Sequence, residues 1–414
     1  MAEKSPAPEM RTRCCIVGGG PAGMVLGFLL ARAGIDVIVL EKHEDFLRDF
    51  RGDTVHPSTL EIMYELGLLD EFLKRPHQEV RELSGVIGGV PVKIADFSHV
   101  PAHAKFIALM PKWDFLDFLA GKAKAYPGFR LLMQAEATDL VFAGAAVAGV
   151  VAKTPQGPLT IRADLTIGAD GRHSIVREKA ELPRQDFGVP IDVLWMRLSR
   201  RATDPATIFG RIAAGAIFVT LDRGDYWQCA LVIPKGAAET LHAQGLDSIR
   251  KAIVRIAPEF QDRVAELADW DQVKLLTVTV DRLTQWCRPG LLCIGDSAHA
   301  MSPIGGVGIN LAIQDAVAAA NILMASLRLG APPPAELKKV QSRRMLPTKL
   351  TQSMQLFVQN RVMTRVLNLK REPKPPLFVK LLNRYAFLRR LPARLVGIGF
   401  RPEHVETGER AAQP

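Results

Sequence analysis

Arg13-Cys14-Cys15-Ile16-Val17-Gly18-Gly19-Gly20-Pro21-Ala22-Gly23 decides how this chain is read. A short apolar run that ends in glycines predicts a buried parallel strand. Pro21 suits the first turn of a helix, small and apolar residues carry it to Ala33, and Gly34 suits its end. Ile35 to Leu40 predicts a second strand, closed by Glu41. Strand, helix and strand make one βαβ unit. Inside it, Gly18 permits a tight turn, Gly20 lets the backbone approach a pyrophosphate, and Gly23 lets the helix pack closely on the strand. The phosphates then sit at the helix N-terminus beside Pro21 and Ala22, among unpaired N–H groups and the positive end of the dipole. Glu41 lies 18 residues past Gly23, close to the spacing of a carboxylate that holds ribose hydroxyls. A carboxylate there repels a 2′-phosphate and selects FAD or NAD over NADP. Lys42, next to it, is a further candidate for cofactor contact. The bland alternative is a packing turn followed by a surface Glu.

Two more stretches share this character. Gly290 to Gly295 repeats the apolar strand ending in glycine, and Asp296-Ser297-Ala298-His299-Ala300-Met301-Ser302-Pro303-Ile304-Gly305-Gly306-Val307-Gly308-Ile309-Asn310 follows. A carboxylate just after a buried strand accepts hydrogen bonds from a polyol. The glycines admit a ligand to the backbone, and a helix starting near Gly308 stabilises negative charge on a ligand ring. The third stretch is Ala169-Asp170-Gly171-Arg172-His173-Ser174-x-x-Arg177. Taken alone, Asp-Gly at a strand end is a turn.

Outward from these motifs, Pro57 to Leu73 predicts a helix broken near Gly67, and Trp113 to Ala125 predicts another. Residues 129–170 predict a β-meander, and 187–235 with 272–280 predict antiparallel strands. Asn310 to Arg328 predicts a long helix. The cofactor-type elements stand at three separate places with β-rich segments between them, so the domains are interleaved. The expected fold class is α/β. Residues 10–80, 100–185 and 285–345 form a Rossmann-like domain, 81–99 and 186–284 an antiparallel substrate domain, and 346–414 a basic helical segment.

The 414 residues are 48% hydrophobic, enough for a sizeable core. The polar first residues do not read as a secretory signal, and no stretch of about 18 uninterrupted apolar residues predicts a spanning helix. Five cysteines without a C-x-x-C pattern fit buried free thiols in a reducing compartment, hence the cytoplasm. Nine histidines show no metal spacing. The net charge is +10, and from Arg361 onward 12 Lys/Arg face 4 Asp/Glu, so the tail holds eight of the ten excess charges. No aromatic-basic platform or known module accompanies them, which argues against nucleic acid.

Together the three motifs resemble the p-hydroxybenzoate hydroxylase class of flavoprotein monooxygenases, over roughly residues 12–345. The resemblance implies FAD as cofactor, NAD(P)H as a transient co-substrate, and O2. It implies hydroxylation of an aromatic or other electron-rich small molecule through a flavin C4a-hydroperoxide. It also implies roles. Glu41 binds the adenosine ribose, Arg51 lies near flavin and pyrophosphate, and Asp170 orients the pyrophosphate region. Asp296 binds ribityl or phosphate groups, Pro303 borders the reacting edge, and the N–H groups of Ile309 and Asn310 face flavin N1 and O2, with Gly306 and Gly308 also among the cofactor-binding residues. Lys112 departs from the Gln or Arg that many relatives carry. His56 is a candidate beside the flavin or a structural histidine. The segment 187–280 forms a roof over the substrate.

On that roof, Tyr226 and Gln228 alternate onto one face and are the candidate substrate contacts, with Trp227, Cys229 and Leu231 on the other. If the faces are exchanged, so are the roles. Leu381 to Val396 mixes Leu, Phe and Arg. It reads either as an amphipathic surface helix touching anionic lipid or as a cap on the flavin domain. A non-oxygenating reductase or dehydrogenase acting on a prenyl-lipid-like substrate, and a non-catalytic FAD-binding protein, are the alternative functions.

Overall fold

The computed structural model describes residues 8–47, 54–204 and 210–408. Cys14, Cys15, Ile16 and Val17 are all buried, as a strand covered on both faces requires. Their strand, Glu9–Val17, lies between Val37–Leu40 and Gly157–Gly168, and both run parallel to it. Phe129–Leu132 extends the sheet on one side and Leu291–Cys293 on the other, also in parallel. Parallel strands share a direction, so Gly18, Glu41, Ala169 and Gly295 all emerge near one edge of the sheet. Strands Glu136–Ala143 and Ala146–Thr154 add an antiparallel meander.

The helices Pro21–Arg32 and Gly308–Leu329 pack on each other and on this sheet. The stretch Ile304–Leu329 is long and apolar enough to cross a membrane by composition, but 67% of its apolar window is buried inside the fold. It is a core helix. The helix expected after His56 is Pro57–Glu65, and Gly67, at φ +69°, breaks it before Leu69–Phe72.

A second sheet has seven strands in the order Lys274–Leu276, Ile191–Ser199, Tyr226–Pro234, Ala216–Asp222, Gly210–Ala213, Glu82–Ile87 and Val90–Asp96. Gly210–Ala213 pairs in parallel with Glu82–Ile87, which joins two distant parts of the chain in one sheet. One face, with Leu194, Met196, Trp227, Cys229 and Leu231, packs on Ile249 and Ile253 of the helix Leu246–Ile256. The opposite, inner face carries Val193, Trp195, Ala230 and Val232, and meets Ile107, Leu109 and Phe97. The protein is thus α/β, a parallel domain interleaved with an antiparallel one, with a helical C-terminal region.

Two expectations about that region need correcting. The boundary expected at 345/346 falls inside one helix, Pro334–Phe357. Its buried Leu337 and Val340 belong to the first core, and its later turns serve the same domain. Residues 398–408 are not helical. The carboxylate of Glu65 accepts from Val405 N at 2.7 Å, and Asn321 Nδ2 donates to His404 O at 2.8 Å, so side chains hold this end extended.

Candidate active site

The three glycine-bearing motifs meet at one edge of the parallel sheet. Gly18 has φ +109°, and a Cβ there would stand 2.3 Å from Ala169 O. A Cβ on Gly23 would stand 2.0 Å from Gly18 O. Glycine at these two positions lets the turn, the helix and the third motif touch. Gly20 differs, because a Cβ there would meet nothing within 4 Å. It borders open space at the start of a helix that has Pro21 first, no side-chain cap and no acid in its first turn. Such an end offers unpaired N–H groups to an anion. Ala22 is buried against the second motif, 3.3 Å from where a Cβ on Gly295 would sit.

Glu41 is buried at the end of its strand. Its Oε2 accepts from Gly19 N at 3.2 Å and its Oε1 from His43 N at 3.1 Å. Lys42 is exposed and lines an open groove of about 700 Å³ with His43, Gln134 and Lys153. Arg51 lies outside the described residues.

Asp170 serves its own turn. Its Oδ1 accepts from Ser174 Oγ at 2.5 Å and its Oδ2 from Val176 N at 3.2 Å. Burial pushes its carboxyl above the ordinary range, and these donors oppose the rise. The link to the second motif runs through arginines that were quoted in the motif but not singled out. Arg172 pairs with Asp296 at 3.6 Å. Arg177 donates to Arg172 O at 2.6 Å and to Ser297 O at 3.3 Å.

Asp296 itself is half-exposed. Behind it, Gly295 N donates to Asp315 Oδ2 at 3.0 Å. Pro303, half-buried, opens a turn in which Gly305 and Gly306 have φ of +77° and +64°. A Cβ on Gly306 would lie 2.4 Å from Thr54 Oγ1. Gly308 begins the long core helix, which has no side-chain cap and no acid in its first turn, and half-buried Ile309 follows. The Asn310 side chain is spent on the fold. Its Oδ1 accepts from His56 N and Thr59 Oγ1, both at 2.8 Å, and its Nδ2 donates to Thr54 O and Gly306 O. Only its backbone N–H is left for a ligand. Lys112 is the half-buried first residue of the helix Lys112–Ala123, just beyond the strand that pairs with Thr54–Val55.

His56 is wholly buried beside this turn. Its Nδ1 is 2.8 Å from Val396 O and its Nε2 is 3.1 Å from Thr54 Oγ1. A carbonyl only accepts, so the proton sits on Nδ1 and Nε2 accepts from the Thr54 hydroxyl. Burial pushes its pKa down to about 4, opposed by the Val396 bond. It is therefore neutral at ordinary pH.

Tyr226 and Gln228 stand on the inner face of the second sheet, opposite Ser199 and Arg197. The Arg197 guanidinium lies 3.7 Å from the Tyr226 ring centroid. Arg223 donates to Gln228 Oε1 from Nε at 2.9 Å and from Nη2 at 2.7 Å, which fixes the amide with its Nε2 turned away. That Nε2, and the Nε1 of Trp195 on the same face, are buried without a hydrogen-bond partner. Trp195 and Arg223 were not anticipated, since a Trp in an apolar strand reads as core.

The donor set fits FAD. It combines two uncapped helix starts, an open approach at Gly20, and the carboxylates of Glu41 and Asp296 near one sheet edge. Among the described residues no group of His, Cys, Asp or Glu could hold a metal ion.

Comparison with known proteins agrees. The FAD binding domain family matches residues 11–353. A 6-methylpretetramide 4-monooxygenase from Streptomyces rimosus is 32% identical over 413 residues, 99% of this chain and 98% of that protein. The OxyS anhydrotetracycline hydroxylase structure from Streptomyces rimosus matches with a TM-score of 0.73 at 22% identity, over 94% of this chain and 76% of that one. The p-nitrophenol 4-monooxygenase PnpA of Pseudomonas putida matches at 0.74 and 17% identity, over 93% of this chain and 97% of that one. The latter two establish the shared fold. The chain belongs to the FAD-binding family of p-hydroxybenzoate hydroxylase-like aromatic monooxygenases.

Proposed function

We propose that this protein hydroxylates an extended, oxygen-bearing aromatic, of the pretetramide or tetracycline kind named for its relatives, with NAD(P)H as electron donor. The observation that carries this reading is the polar cluster on the otherwise apolar inner face of the second sheet, where Arg197 stacks on Tyr226 and Arg223 fixes the Gln228 amide. A few polar groups set in an apolar face orient a ligand through its acceptor atoms. A phenolic or carbonyl oxygen supplies that acceptor.

Bound FAD supplies the electron transfer and oxygen activation. The chain's residues do the rest. Glu41 holds the ribose hydroxyls and Asp296 the ribityl side. The helix starts at Pro21 and Gly308 face the pyrophosphate and the negatively charged edge of the ring. Lys112 adds a cation near the polyol. Pro303 borders the reacting face, and the apolar inner face of the sheet excludes water. His56, neutral and held by Val396 and Thr54, positions the Gly306 turn and is no acid at neutral pH. Tyr226, stacked by Arg197, flanks the substrate. Asp170 acts through its turn, with Arg172 fixing Asp296. The five buried free thiols support a cytoplasmic setting.

The test is oxidation of NADPH and NADH by the FAD-loaded protein across polycyclic phenols under ¹⁸O₂. Substrate-stimulated oxidation with one labelled oxygen in the product is expected. Cofactor consumption with an unlabelled, reduced product would make the protein a reductase instead. Peroxide in step with NAD(P)H would show the compound to be an effector only.

A further inference from the structure

From Pro373 to Pro402 the chain has seven Lys/Arg and no Asp/Glu. This stretch folds as two short helices, Leu377–Arg384 and Arg390–Gly397, around the turn Ala386–Arg389. Its inner side is packed. Val379 joins Ile87 and Val92, Ala393 is buried in the core beneath the second sheet, and a Cβ on Gly397 would stand 3.1 Å from the Phe97 ring. The segment is therefore a cap, seated mainly on the second sheet rather than on the flavin domain as expected. Its outer side is unlike an ordinary surface. Leu377, Phe378, Phe387 and Leu391 are 60–73% exposed, and Leu381 and Tyr385 are also exposed. Exposed Lys380, Arg384, Arg390 and Arg394 alternate with them.

A cluster of exposed large apolar side chains in one short segment marks a contact surface, and the charge selects the partner. A second copy of this chain would bring the same cations against these, and like charges repel. A neutral apolar partner would strip water from cations without replacing it. An anionic bilayer meets both needs, with phosphates for the cations and the acyl boundary for the Leu and Phe side chains. We propose that Pro373–Pro402 docks this protein on an anionic membrane surface. Leu377, Phe378, Phe387 and Leu391 enter the headgroup–acyl boundary, while Lys380, Arg384, Arg390 and Arg394 lie on the phosphates. The same segment holds His56 through Val396 O, so docking brings the candidate site close to the bilayer.

The experiment is co-sedimentation of the full-length, FAD-loaded protein with vesicles of phosphatidylcholine, alone or mixed with phosphatidylglycerol. Binding to the mixed vesicles only, released by high salt, is expected. Each cation strengthens binding by about fivefold, so K380E/R384E/R394E should weaken it at least a hundredfold. F378S/F387S/L391S should also lose binding, with flavin absorbance and thermal midpoint unchanged in both variants. No binding to the mixed vesicles overturns the proposal, as does binding that both variants retain. A concentration-dependent dimer abolished by F378S/F387S/L391S, without vesicle binding, would assign the face to a second copy.

Discussion

His56 has no exposed surface and lies between a backbone carbonyl and a hydroxyl. In the unfolded chain its imidazole titrates near 6.5, and in the fold near 4. On acidification the unfolded state takes up the proton first. His56's contribution is therefore complete above about pH 6.5 and fades as pH falls toward 4, by about 3 kcal/mol. His56→Gln should flatten the fall of the thermal midpoint across that window, and an unchanged slope would count against the assignment. For Gln228, removal of a donor to substrate predicts a KM raised roughly ten- to a hundredfold in Gln228→Leu, with flavin content intact. An unaltered KM would place the amide away from substrate. Local chemistry made part of the site readable. Gly18, Gly23 and Glu41 act on their immediate neighbours, and alternation alone puts Tyr226 and Gln228 on one face. Trp195 and Arg223 become notable only when their partners, or lack of them, are seen in three dimensions. Arg51 lies outside the described residues.

At the level of elements, the helix Pro334–Phe357 and the turns after it act as a brace. Gln352, Gln355 and Gln359 recur at helical spacing, and all face the loop before Gly305. Gln352 Nε2 donates to Ala300 O, Gln355 Nε2 to Ser302 O and Ile304 O, and Gln359 Nε2 to Ser302 Oγ, while Ser302 N donates back to Gln355. Gln355→Leu strands the buried Ser302 N–H and carbonyl at about 1–3 kcal/mol each, and the half-buried Ile304 carbonyl besides. We expect weaker FAD binding, read as flavin fluorescence released on dilution, with the second sheet intact by circular dichroism. Retention equal to wild type would show that the loop does not need the brace. The spacing of these glutamines was legible, but their target, some fifty residues earlier, was not. The boundary expected after residue 345 therefore falls twelve residues before the end of this helix. The strands and helices around the glycine motifs were legible because periodicity and turn residues agree there.

Across the whole molecule, a buried charge network joins distant parts of the chain. Asp315 accepts from His299 at 2.5 Å and from Arg344 Nε at 2.9 Å, and Arg344 also pairs with Glu403 at 3.0 Å. Burial alone would raise the Asp315 carboxyl, yet His299 and Arg344 hold it below its usual range. Glu403→Ala leaves a buried guanidinium short of a partner and should lower stability by about 3–5 kcal/mol. Chemical denaturation followed by flavin release measures this, and a loss below about 1 kcal/mol would mean that Asp315 and the Arg401 carbonyl suffice as partners of Arg344. No local pattern announces such a network, since its members span more than a hundred residues. Asp315 is also the group that receives Gly295 N, so the turn carrying Asp296 rests, through Arg344, on the carboxylate of Glu403, more than a hundred residues later. Synthesis runs from the N-terminus. When the ribosome has finished Gly295 and Asp296, Glu403 is still unmade. The Asp315–Arg344–Glu403 network around this turn therefore closes late in synthesis, after more than a hundred further residues.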